Sequence, residues 1–412
     1  GENDIKFMDK NISSLRNISK DYDLVCLVTN QPSIAMGKLS IKKLDAINSI
    51  VIKYCLLKGL KIDVITTMPN RYNSLNIKAL QYEYSSKVSI NRITLPKHKN
   101  GMFDQAKAFI IFSFAVRKFI IKKKWDIIIA TSSRLVTASL SVWVAKQTNS
   151  KLYLDIRDLF TDTMDNILTK YPLRILIPLF HKLEKWTFSS ADKLNVVSAG
   201  FVDYIKKITP NVSPSVHTNG VDELFLKNTF TTYQVKHKPL ILYIGNIGNG
   251  QGLHKIIPKV AYELKDVQFR LIGDGSATNL LTENNLFKSL ANIEVLNPVL
   301  RSELINEYKK ADILFLHLND YKSFYKVLPS KIFEYAATGK PILAGVSGYA
   351  AKFLCDQVEG VEVFDPCDTK SMKLGLQKLL NGPKMIDRSD FCLRYSRKTI
   401  MKKLAIDILS LS

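Results

Sequence analysis

No run in the sequence reaches the roughly 18 uncharged apolar residues that a membrane-spanning helix needs, so no spanning segment is expected. Cysteine is scarce and scattered. Cys26, Cys55, Cys355, Cys367 and Cys392 are odd in number and form no C-x-x-C pair. That excludes a disulfide framework and fits a reducing cytosol, each thiol serving as a small apolar side chain. Metal patterns are missing too: there is no H-E-x-x-H and no metal-spaced Cys/His cluster, and the six histidines are scattered. The D-x-D at Asp21-Tyr22-Asp23 leads into a strand instead of following one, the wrong edge of a sheet for a metal site. No G-x-S-x-G elbow exists, which removes the hydrolase nucleophile. Only 14 residues are proline, 46% are hydrophobic and 23% charged, so the chain is neither disordered nor collagen-like. Acidic residues are the minority charge. The 59 Lys and Arg against 37 Asp and Glu leave a net charge of +22. Such a surplus seeks polyanions: nucleic acid, anionic lipid headgroups or diphosphate ligands. No helix-turn-helix, zinc-finger or RNA-binding aromatic motif is present, so nucleic acid is not an expected partner.

What is present is an alternation of strand and helix over 412 residues, long enough for two domains. Residues 1–22 are polar, lack an apolar signal-peptide core, and read as an extension. Gly1 in place of methionine points to a processed or trimmed start. Short apolar runs at 24–29, 62–66, 89–95, 126–130, 151–156 and 194–197 predict strands, and the spacing over Ile41–Lys58 predicts a helix capped by Gly59. The pattern stops near Pro210 and restarts at Pro239, with strands expected at 240–244, 267–272, 293–295, 313–316, 341–344 and 360–363. Strands separated by helices imply parallel sheets. The expected domains are 1–215 and 216–391, with a terminal helix over 392–412 able to pack on either one. In such sheets ligands sit at the carboxyl ends of the strands.

Two segments mix bulky apolar residues with cations. Ala106–Ile121 is followed by Lys122, Lys123 and Lys124, and Tyr171–Phe188 carries a tryptophan among basic residues. They read either as core helices with basic outer faces or as helices lying in a membrane interface. Attraction to anionic lipid, about 1 kcal/mol per near-surface cation, favours the second use.

Four stretches can carry chemistry. In LYIGNIGNGQGL, residues 242–253, Gly245, Gly248, Gly250 and Gly252 lie between a strand and a helix. Glycine permits close backbone approach and a helix start favours anions, so this is a diphosphate cradle or a plain tight turn. In PSKIFEYAATGKPILA, residues 329–344, Glu334 sits one turn into a helix. It either complements the helix dipole or accepts two ribose hydroxyls. Lys331 on the same first turn is locally disfavoured, which suggests an anion nearby or a solvated side chain. LIGDG, 271–275, ends a strand in Gly273-Asp274-Gly275. DIRDLF, 155–160, puts Asp155, Arg157 and Asp158 at a strand end, either as ligand contacts or as an internal ion-pair cluster.

Together with SAGF (198–201) and TNGVD (218–222), these stretches in this order resemble the retaining GT-B glycosyltransferases of family 4. They are similar to its capsule and O-antigen branch, which includes N-acetylfucosamine transferases. The resemblance spans about Leu24 to Leu409. It implies an α/β GT-B fold, two Rossmann-like domains with parallel sheets facing a cleft, the first binding acceptor and the second nucleotide sugar, with the last helix, 392–412, crossing back to the first domain. It implies a hexosyltransferase that needs no cofactor or metal and moves an N-acetylated or deoxy sugar from a UDP-sugar, with retention, to a polyprenyl-diphosphate-linked glycan. The protein is then cytoplasmic and peripheral at the inner face of the plasma membrane, held there through helices 104–124 and 172–188.

Residue by residue, Glu334 matches the second glutamate of the family's E-x7-E motif and would hold the ribose. Lys326 stands where the first glutamate falls. Asn246 and Gln251 replace the arginine and lysine that many relatives carry in the glycine loop, so Lys331 is expected to supply that charge. Arg157 stands where many relatives have a histidine, and with Asp158 it is expected at the acceptor or the transition state. The resemblance extends the nucleotide-sugar site to Gly37, Gly245, Asn246, Gly248, Gln251, Gly252, Gly273, Asp274, Val299, Ser330, Lys331 and Glu334. The same architecture also serves UDP-N-acetylglucosamine 2-epimerases, and the missing first glutamate would permit an inactive sugar-nucleotide-binding subunit.

Overall fold

A computed structural model of the chain describes residues 24–29, 39–40, 43–44, 51–52, 55–56, 59–68, 80–85, 87–96, 102–121, 123–132, 134–167, 175–231 and 238–411. The chain divides into two units. The first takes in Gly1–Val197, Phe201–Thr218 and Ile400–Ser412, and the second Ser198–Gly200 and Asn219–Thr399. The division falls between Thr218 and Asn219, three residues beyond the expected end at 215.

The first unit is built on an eight-stranded sheet. Its strands are β1 (Leu24–Thr29), β4 (Lys61–Thr67), β5 (Tyr82–Tyr84), β6 (Val88–Ile93), β7 (Ile127–Ser132), β8 (Lys151–Ile156), β9 (Lys193–Val196) and β10 (Ser215–Val216). Their order is β10-β9-β8-β7-β1-β4-β6-β5. All neighbours are parallel except β5, which pairs antiparallel with β6 at the edge. The central β7 is buried along its whole length, as its Ile-Ile-Ile run requires of a strand covered on both faces. Helix α1 (Met102–Ile120) and helix α3 (Ile177–Ser189) both pack against helix α2 (Leu135–Thr148). One expectation is corrected. A helix was expected to start at Ile41, but β2 (Leu39–Ser40) and β3 (Lys43–Leu44) form a short antiparallel pair there. Helical residues appear at 51–52 and 55–56.

The second unit carries β11 (Leu240–Ile244), β12 (Gln268–Ile272), β13 (Ile293–Leu296), β14 (Ile313–His317), β15 (Ile342–Gly345) and β16 (Val361–Phe364). Their order is β13-β12-β11-β14-β15-β16, all parallel. This is the doubly wound order, and it reverses between β11 and β14, where such folds bind ligands. Strand alternation feeds two cores. Ile241 and Tyr243 join Ile256, Ile257 and Val260 of helix α4 (Leu253–Glu263). Leu242 and Ile244 face Tyr308 of helix α5 (Arg301–Lys310) and Ile332, Phe333 and Ala336 of helix α6 (Lys331–Ala337).

The segment between the sheets is not an idle linker. Val221, Phe225 and Phe230 are buried in the second core. The last helix, α7 (Arg397–Leu409), buries Ile400, Met401, Leu404, Ala405 and Ile408, a helical stripe within the first unit. Asp407 fastens it there, accepting from the Tyr153 hydroxyl at 2.7 Å and Lys193 Nζ at 3.0 Å.

Candidate active site

The glycine loop leaves β11 at Ile244 and enters α4 at Leu253. Gly252 takes φ +62, a left-handed conformation that glycine adopts without strain, as the residue capping α4. Gly273, at the end of β12, presses on this loop. A Cβ there would lie 1.8 Å from the Gly245 carbonyl oxygen, so no side chain fits. The Tyr243 hydroxyl donates to the Asn246 carbonyl at 2.6 Å. Asn246 Nδ2 donates to Gln251 Oε1 at 2.8 Å, and Gly248 N–H donates to the same oxygen at 3.2 Å. The two neutral side chains in the expected phosphate positions thus brace the loop across its own width.

Strand β14 supplies a second set of braces. His317 is fully buried. Its Nε2 accepts the Cys367 N–H at 3.0 Å, so the proton sits on Nδ1, 2.6 Å from the Gln251 carbonyl oxygen. Burial pushes this imidazole down to about 4, which keeps it neutral. Asn319 Nδ2 donates to the Asn249 carbonyl at 2.8 Å, and its N–H donates to the Gly250 carbonyl at the same distance from donor to acceptor. Three successive loop carbonyls are therefore fixed by two residues that sequence reasoning passed over. Their position at the carboxyl end of the strand beside β11 was the available signal.

Helix α6 places Lys331 and Glu334 on one face, three residues apart. Lys331 Nζ donates to Glu334 Oε2 at 2.9 Å, with side chains 27% and 23% exposed. The misfit of a cation in the first turn is met by this carboxylate. Burial alone would raise the Glu334 carboxyl. The Lys331 charge and the hydrogen bonds from Lys331 and Tyr308 outweigh it and hold the carboxyl below the usual range. The Lys331 Cε lies 3.7 Å from where a Cβ on Gly245 would be, so the lysine stem runs against the head of the glycine loop. The structure thus brings together Gly245, Asn246, Gly248, Gln251, Gly252, Gly273, Lys331 and Glu334.

Other expected members are less engaged. Asp274 is exposed, its carboxylate accepting the Gly275 N–H at 2.7 Å. Ser330 is exposed and makes no side-chain cap. Val299 is half-buried against the core that holds β11 and α6. Gly37, with the rest of its loop, lies outside the described residues.

At the carboxyl end of β8 the ion-pair reading of DIRDLF is realised. Arg157 Nε and Nη2 meet Asp155 Oδ2 at 2.8 and 2.7 Å. Asp155 is almost fully buried and also accepts from Asn195 Nδ2 at 2.7 Å. Asp158 keeps an exposed surface, yet the chain crowding its carboxyl, with Asp162 nearby, outweighs the Leu159 N–H it accepts and pushes it up to about 6. Among the described residues, no three His, Cys, Asp or Glu side chains are placed to share a metal ion.

Residues 228–396 match the family of glycosyl transferases group 1. The match lies within the second unit. Solved structures of the same fold cover nearly the whole chain. One is HepE from Anabaena in complex with UDP and glucose, at TM-score 0.64 and 13% identity, covering 94% of this chain and 99% of that one. Another is a sucrose-phosphate synthase from Thermosynechococcus elongatus, at 0.64 and 14%, covering 94% and 97%. The lipopolysaccharide outer core galactosyltransferase WaaB matches at 0.59 and 12%, covering 93% and 99%. No curated protein matches by sequence. The chain is a glycosyltransferase with the GT-B fold of two Rossmann-like domains.

Proposed function

We propose that this glycosyltransferase moves an N-acetylated or deoxy hexose from a UDP-sugar onto a polyprenyl-diphosphate-linked glycan, in capsule or O-antigen synthesis. The reading has the anomeric configuration retained and no metal or other cofactor used. The observation that carries it is Lys331, laid against Gly245 and paired with Glu334. A diphosphate over the glycine loop meets one cation there, and Glu334 one turn further on faces the ribose. A similarly folded structure holds UDP and glucose, which supports uridine diphosphate as the carrier. The name of WaaB, a lipopolysaccharide galactosyltransferase, supports an envelope glycan as the class of acceptor.

In this reading the acceptor hydroxyl oxygen bonds to the anomeric carbon on the face that the diphosphate leaves. The bond from that carbon to the phosphate oxygen breaks, and the hydroxyl proton passes to the departing phosphate. Charge grows on the diphosphate, so a fixed cation beside it contributes most in the transition state. Arg157 and Asp158 are the acceptor-side contacts, Arg157 already held in place by Asp155.

The enzyme works as a peripheral protein at the inner face of the plasma membrane. Helix α1 turns Ala108, Phe112, Val116 and Ile120 inward and leaves Ile110, Phe114, Arg117 and Lys118 exposed. On α3, Leu179, Lys182, Lys185 and Trp186 are exposed, and both helices flank α2. Mixed apolar and cationic faces of this kind suit an anionic headgroup layer. One lysine of the 122–124 run is spent internally: Lys123 Nζ meets Asp63 at 3.1 Å and lies 3.9 Å above the Phe119 ring. No described helix is long and apolar enough to cross a membrane.

The test is transfer in anionic vesicles bearing a polyprenyl-diphosphate glycan. UDP-sugars are expected to label the lipid with the donor's anomeric configuration, in the presence of a chelator. Labelling from GDP-sugars alone, inversion, or release of a free epimer overturns the reading.

A further inference from the structure

Tyr308, on α5, is fully buried. Its ring packs edge-on against Phe225 at 5.4 Å and Tyr335 at 5.8 Å. Its hydroxyl donates to Glu334 Oε2 at 3.1 Å, the oxygen that also accepts from Lys331. Glu334 Oε1 accepts from none of the described residues. The carboxylate therefore has one oxygen committed and one open.

The two groups on Oε2 are not equivalent. Lys331 is long, part-exposed and within reach of the glycine loop, so a diphosphate there competes with Glu334 for its ammonium. Tyr308 has no second partner to turn to, and its ring is locked between two others. Burial, with Glu334 beside it, holds its phenol well above the ordinary range, so it stays a donor. We propose that Tyr308 is a positioning residue that keeps Glu334 aimed at the nucleotide's ribose while Lys331 turns to the diphosphate. This rests on the reading of Glu334 as the ribose acceptor. A carboxylate left to rotate freely in a half-open site would lose its two-point hold on vicinal hydroxyls.

The experiment compares binding of UDP and 2′,3′-dideoxy-UDP by calorimetry. The intact protein is expected to prefer UDP by roughly tenfold, the discrimination of a charged hydrogen bond. Glu334→Ala is expected to bind both alike. Tyr308→Phe keeps the ring and removes one oxygen. It is expected to weaken UDP several-fold, leave dideoxy-UDP unchanged and shrink the preference. Lys331→Ala is expected to weaken both nucleotides equally and keep the preference, because Tyr308 still holds Glu334. A Tyr308→Phe variant with the full preference, beside a Glu334→Ala variant without it, overturns the proposal. Loss of the preference in Lys331→Ala also overturns it, since the lysine would then be the holder. If Glu334→Ala keeps the preference, the ribose assignment fails and the role of Tyr308 with it. Tyr308→Met, a second deletion of the hydroxyl that fills the space with a flexible side chain, covers the case in which Tyr308→Phe does not fold.

Discussion

Lys331 is the residue on which catalysis is expected to turn. Asn246 and Gln251 are bonded to each other, and the Lys331 stem lies against Gly245. Lys331→Ala is expected to lower kcat by about 10²–10³, the usual effect of removing one group that stabilises developing negative charge, with melting temperature little changed. Near-normal turnover would remove the lysine from the mechanism. Asp158 makes a separate prediction. A carboxyl titrating at about 6 is ionised at neutral pH and protonated below it, so an acceptor-side role gives kcat/KM a break near that pH. Asp158→Asn should abolish the break, and a profile that keeps it in the variant would remove Asp158 from the acceptor side. Lys331 and Glu334 were legible in the sequence because a motif and a helix start frame them. Tyr308 and His317 were not. Each sits inside an element where its spacing is that of core residues, and only the tertiary contacts to Glu334 and Gln251 show otherwise.

Among elements, the glycine loop depends on strands that do not contain it. Gly273 of the β12 turn abuts Gly245 of the β11 turn. Gly273→Ala must part the two turns, at about 1–3 kcal/mol for overpacking at a tight contact. Urea melts should show that loss together with weaker nucleotide binding, and an unaffected variant would mean the contact yields freely. The buried parallel strands were legible to within a residue or two because each is a short apolar run closed by polar residues, as in β8 and β11. The edge strand β5 was not, since Tyr-Glu-Tyr with both tyrosines exposed at a sheet border has no apolar signature. The two residues of β10 are too few to carry one. The short pair β2–β3 is not legible either, since the spacing of Ile41, Leu44 and Ile47 is helical.

For the whole molecule, the net charge of +22 is a weaker guide than where its charges sit. If the faces of α1 and α3 meet lipid, Phe114→Glu with Trp186→Glu should reduce co-sedimentation with anionic vesicles at least tenfold, on the scale of burying two aromatic side chains, and leave nucleotide binding intact. Unchanged sedimentation would assign those faces elsewhere. The terminal helix α7 is tied to β8 and β9 through Asp407 and packs within the first unit. Nucleotide choice bears most directly on the function proposed for the whole chain. The deciding measurement is a thermal-shift comparison of UDP, GDP and ADP, with and without Lys331→Ala, since a ligand at about a hundred times its Kd stabilises the fold by roughly 2.7 kcal/mol. UDP is expected to raise the melting temperature most in the intact protein, and Lys331→Ala to lose most of that rise. Equal shifts for all three nucleotides, or a full UDP shift in the variant, would contradict a uridine diphosphate held at Lys331.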